Sequence, residues 1–227
     1  MKVYWNRFST PVGAPRRFYA AMVKPWWLAR LCAMALVVSG APVASAGSVI
    51  LSSPVASAAP TASGDAYAPG LAVSYFYGEN FLFESVDAFS DRDPSTGVPG
   101  PPLLTLDYHT GEDLVLTSTQ PDGVAAHISG HIHLAAAGTY QFAFESNDGV
   151  RLHLQGKFVV EDPDVHFDQF SQVAEVTVNT PGWYPITVWY FEKRHTSTLR
   201  LFWRGPGAAS GPEMWIVPAE AFRHPKK

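Results

Sequence analysis

The chain has 227 residues, of which 13% are aromatic, with nineteen Pro, eighteen Gly and a formal net charge of −4. This length suits one domain with a leader or a tail, and 47% hydrophobic residues with 16% charged supply enough apolar material for a buried core. Every Asp and Glu lies beyond residue 46, so the remainder holds ten Lys and Arg against twenty acids, a balance that excludes general affinity for nucleic acid or anionic membranes.

Residues 1–46 carry Lys2, Arg7, Arg16, Arg17, Lys24 and Arg30, then the apolar run Leu31 to Val38, then Ala44-Ser45-Ala46. A positive end, an apolar middle and a small-x-small stop predict a secretory signal peptide over 1–46, with Met22 as an alternative start. The other reading is an uncleaved signal anchor, against which the Gly, Ser and Pro interruptions speak; no other membrane insertion is expected. Cys32 is the single cysteine, so a cleaved chain has neither disulfide nor thiol chemistry. The expected location is secreted or periplasmic. Residues 47–69, rich in Ala, Ser and Pro, predict a flexible linker. The folded domain is expected over 70–222, with a basic tail at 223–227.

From Gly70 the pattern is one of strands. Leu71, Val73 and Tyr75 alternate with smaller or polar residues. "DRDPSTGVPGPP", Asp91 to Pro102, predicts a loop by its Pro and Gly content. "VAAHISGHIHL" alternates into "GTYQFAFES", where Tyr140, Phe142 and Phe144 share a face. "VRLHLQGKFVV" predicts a hairpin turning at Gln155-Gly156. "GWYPITVWYFEKR" puts Tyr184, Ile186, Val188 and Tyr190 on one face, and Pro185 predicts an edge or a bulge there. "STLRLFWRGPG" places Leu199, Leu201 and Trp203 inward. No stretch has helical periodicity, and closely spaced strands predict an all-β sandwich or barrel.

The runs "GLAVSYFYGENF", "ISGHIHLAAAGTYQFAFESNDGVRLHLQGKFVV", "GWYPITVWYFEK" and "LRLFWRGPG", in that order and spacing, resemble the PA-fourteen domain family, first named from anthrax toxin protective antigen. The resemblance spans roughly Gly70 to Phe222. It implies an antiparallel β-sandwich of barrel-like shape, used as an extracellular module that often binds carbohydrate. Lectin-like members hold calcium with two neighbouring aspartates joined by a cis peptide, and the matching positions here are Asn147 and Asp148. The resemblance therefore implies Asn147 and Asp148 as metal ligands, with calcium as the cofactor. One of the two charges is missing, although the Asn147 carbonyl still offers a hard oxygen. Asn147, Asp148 and Gly149, with Glu192, Lys193, Arg194 and His195 of the last inter-strand segment, are the candidate ligand-binding residues. A plain turn is the competing explanation of Asn-Asp-Gly, since Asn and Gly tolerate positive φ and Asp bonds its own backbone.

Other constellations carry less. "EDPDVHFD", Glu161 to Asp168, alternates oxygens as a calcium loop does. It lacks both the Gly of the sharp turn and a closing bidentate Glu, so a solvated acidic loop is expected. His131 and His133 share a strand face but are too few for a structural metal site. Trp183, Trp189, Trp203 and Trp215 are expected mostly in the core. No nucleophile elbow, carboxylate pair or phosphate loop is singled out, so no catalytic residues are assigned and the chain is not expected to be an enzyme. The functional expectation is glycan or cell-surface carbohydrate binding without chemistry, assisted by calcium. The alternative is a structural or protein-interaction module of a surface assembly, with a protein partner and no sugar site.

Overall fold

The computed structural model describes residues 49–55, 66–78, 83–208 and 213–226. The expected signal peptide lies outside the described residues, as does most of the Ala/Ser/Pro stretch between Ala56 and Asp65. No helix among the described residues is long and apolar enough to cross a membrane.

The described residues form strands and three short 3-10 turns, with no α-helix. In chain order the strands are β1 (Val49–Leu51), β2 (Tyr67–Pro69), β3 (Leu71–Tyr77), β4 (Val98–Leu103) and β5 (Asp107–Gly111). Next come β6 (Val124–Leu134), β7 (Gly138–Asn147), β8 (Val150–Leu154), β9 (Lys157–Asp162) and β10 (Gln169–Phe170). The last are β11 (Ala174–Val178), β12 (Gly182–Glu192), β13 (Ser197–Arg204), β14 (Trp215–Ile216) and β15 (Phe222–Pro225). One sheet runs β1-β11-β7-β13-β14, with β10 beside β7 and β5 beside β13. The other runs β2-β15-β6-β12-β8-β9, with β3 against β6 and β4 against β3. The pairings are antiparallel except β1 with β11. Both sheets are open; they form a sandwich and do not close into a barrel.

Alternation builds the main core. Tyr184, Ile186, Val188 and Tyr190 of β12 meet Tyr140, Phe142 and Phe144 of β7 and Leu199 and Leu201 of β13, all at most 4% exposed. The opposite face of β12 is also covered near its end. Trp189 and Phe191 join Phe76, Ala125, Phe83, Val86 and Phe89 in a second apolar cluster. Arg92 lies 5.8 Å from the Phe76 and Phe83 ring centroids on that cluster. The β8–β9 hairpin turns at Gln155 and Gly156, with φ of 52° and 71°, the two positive values of a twist-matched two-residue hairpin turn.

Four expectations change. First, the stretch read as a linker supplies β1 and β2. Composition hid them because three-residue strands carry too few side chains to show a period; Leu51 is nonetheless fully buried. Second, the Pro/Gly loop contains β4, which pairs only with β3; such an edge tolerates Pro because no ladder hydrogen bond is required on its outer side. Third, Pro185 stands in a central strand, between β6 and β8. Its carbonyl accepts from the Gln155 N–H at 2.8 Å. Its nitrogen therefore faces the same side, just past the end of β8, where no strand asks for a donor. Fourth, the basic tail begins inside the fold: Arg223 is 8% exposed, with its guanidinium carbon 3.8 Å from the Trp183 ring centroid.

Candidate functional site

Three connections cross between the sheets at one end of the sandwich. Asp148 and Gly149 join β7 to β8, residues 163–168 join β9 to β10, and residues 193–196 join β12 to β13. They converge because β7 lies beside β13, with Asn147 opposite Thr198, while β8 lies beside β12. The cavity between them measures about 510 Å³. Asn147 and Asp148 line it from the first crossing, Val165, His166 and Phe167 from the second, and Lys193, Arg194, His195 and Thr196 from the third.

Asp148 ties the three together. Its Oδ1 accepts from the His166 N–H at 3.0 Å, and its Oδ2 accepts from the Lys193 N–H at 2.8 Å. The residue is 3% exposed. Burial raises its carboxyl above the usual range, and the two N–H donors pull the other way. Asn147 is held as firmly: its carbonyl accepts from the buried Tyr190 hydroxyl at 2.6 Å and its Nδ2 donates to Thr196 Oγ1 at 2.8 Å. The peptide between Asn147 and Asp148 is cis. Gly149 does not line the cavity. A Cβ there would stand 2.4 Å from the Pro163 carbonyl oxygen and 2.5 Å from the Phe191 ring, so the glycine lets the second crossing pack over the first.

Glu192 also lies outside the lining, at the end of β12. It is fully buried, and neither carboxylate oxygen has a hydrogen-bond partner. Burial pushes its carboxyl up to about 8; the charges of Asp122 and Asp148 add to the shift. The Gly123 N–H pulls the other way; it also donates to the Lys193 carbonyl at 3.1 Å. The third crossing is pinned from the other side, where His195 (φ 81°) donates its N–H to Asp122 Oδ1 at 2.8 Å.

The donor set does not fit calcium. That ion takes six to eight hard oxygens, usually with several carboxylates. Here one carboxylate is available, it is buried and it already accepts from two loops, while Lys193 and Arg194 stand beside it. Among the described residues, no three His, Cys, Asp or Glu side chains come together as a metal site.

Of the residues the sequence nominates, Asn147, Asp148, Lys193, Arg194 and His195 meet at one cavity. Four further residues line it that the sequence does not single out as ligand-binding: Val165, His166, Phe167 and Thr196. Phe167 is 89% exposed. The signal for it was an aromatic stranded among acids in "DVHFDQF", which reads as a solvated loop until the second crossing is placed. The histidines of β6 are partly covered by rings: His127 lies 4.5 Å from Trp189, His131 lies 5.4 Å from Tyr67, and His133 stacks 4.8 Å from Trp183.

Residues 106–212 match the family model described as the PA14 domain. The chain contains a PA14 domain. Solved structures, PA14 domains among them, share its fold. The PA14 domain of MpAFP antifreeze protein aligns at 15% identity over 73% of this chain and 95% of its own, with a TM-score of 0.58. A PA14 sugar-binding domain from an RTX adhesin aligns at 22% identity over 69% and 98%, with a TM-score of 0.52. The A domain of epithelial adhesin 9 from Candida glabrata, in complex with Galβ1-3GlcNAc, aligns at 12% identity over 70% and 91%, with a TM-score of 0.51. No curated protein matches the chain.

Proposed function

We propose that this chain is a non-catalytic, secreted or periplasmic carbohydrate-binding protein, and that the cavity formed by the three crossing loops holds the sugar. The observation that carries this reading is Phe167: a phenyl ring 89% exposed at the rim of a cavity that Val165 also lines and whose remaining side chains are polar or charged. A ring left in water costs free energy. A sugar recovers it, because its apolar ring face covers an aromatic while its hydroxyls bond polar groups at the sides. Arg194, His195 and Thr196 supply those groups. The names of the sugar-binding adhesin relatives support the reading. The donor set argues that binding proceeds without calcium.

The test is retention of the full chain on an immobilised glycan panel, beside Phe167→Ala. The variant is expected to lose about tenfold or more in retention, in line with an aromatic stacking contact, while unfolding at the same temperature. Equal retention by both proteins would remove the cavity from consideration. No retention of either would favour the protein-interaction reading. For that reading the relevant surface is Phe170, 62% exposed and 5.4 Å from the Phe202 ring.

A further inference from the structure

The charge at the cavity runs against that of the chain. Beyond residue 46 there are ten Lys and Arg against twenty acids, yet two of those ten, Lys193 and Arg194, are neighbours on the cavity wall. The one acid in the lining, Asp148, is 3% exposed and accepts from two backbone N–H groups. It therefore presents little negative charge to a ligand. Lys193 is committed: its Nζ lies 2.5 Å from Glu84 Oε1. Arg194 is exposed, and among the described residues no acid, carbonyl or ring pairs with its guanidinium. His166 offers no second open group, because its Nε2 is buried. Its side chain is 10% exposed, Nδ1 donates to the Phe167 carbonyl at 2.8 Å, and Nε2 has no hydrogen-bond partner, the Asp162 carboxylate standing 3.5 Å away.

An unpaired guanidinium and an exposed phenyl ring lining one cavity form the arrangement that recognises an anionic group attached to a flat apolar face. The overall negative charge does not forbid this, because charges farther away than about 8 Å are largely screened at physiological ionic strength. Resting on the carbohydrate reading above, we infer that the preferred ligand is an acidic glycan: its carboxylate or sulfate pairs with Arg194 while a sugar ring covers Phe167, with no metal between them.

The experiment compares retention of the full chain, Arg194→Gln, Arg194→Lys and Phe167→Ala on three immobilised glycan arms in EDTA: uronate-containing, sulfated and uncharged. Retention is expected on an acidic arm and to be weak on the uncharged one. It falls about tenfold in Arg194→Gln, as loss of a charge-assisted contact implies, and returns in part in Arg194→Lys. The arm that retains more tells carboxylate from sulfate. Equal retention on the uncharged arm overturns the inference. So does an Arg194→Gln protein that binds like the parent while Phe167→Ala does not; the carbohydrate reading survives both results. No retention on any arm overturns both.

Discussion

Asp148 is the residue on which the site turns, and its work is structural. A buried carboxylate that accepts one N–H from each of two loops holds both in place beside the first crossing. Glu192, one loop away, has no such return: it is buried with nothing to bond. Its folded-state value of about 8 lies above the ordinary 4.5, so between these values the folded protein holds a proton that the unfolded chain has released. Stability attached to this group is therefore present at low pH and is lost progressively as pH rises from about 4.5 to about 8. Glu192→Gln removes that dependence. The gap in melting temperature between variant and parent is expected to widen over this window and then stay constant; a gap independent of pH would mean that Glu192 is ionised in the fold.

At the scale of elements, the decisive pieces are short ones. β1 is three residues long, yet Leu51 is fully buried in the main core and pairs in register with Val178 of β11. Leu51→Ala is expected to cost about 2–5 kcal/mol, measured by denaturant unfolding; an unchanged midpoint would return residues 47–69 to the status of a linker. The long strands were legible in the sequence because alternation over many residues is hard to mimic: Tyr184 to Tyr190 and Leu199 to Leu201 are buried as the pattern predicts. The short strands were not legible. A two- or three-residue strand shows no period, and Pro99, Pro101 and Pro102 obscured an edge strand that needs no outer donors. The candidate site was half legible. The first and third crossings adjoin strongly patterned strands, so Asn147, Asp148 and Lys193 to His195 could be nominated. The second crossing, with Phe167, is bounded by the two-residue β10 and could not be tied to that end. Glu192 and Gly149 adjoin these residues in the chain but do not line the cavity.

For the whole molecule, topology places the site. Every crossing that builds it passes from one sheet to the other at the same end, so the loops share an anchor and leave a cavity. A second cavity of about 510 Å³ opens beside Tyr67, Leu104 and Arg223, away from these loops in the chain. In the proposed function, sugar occupies the first cavity. This placement is tested most directly by following the backbone amide resonances of the full chain, in EDTA, as the best-retained glycan is added. Shifts are expected to concentrate at Asn147, His166, Phe167 and Arg194 to Thr196. Shifts centred on Tyr67, Leu104 and Arg223, or none on any glycan, would contradict it.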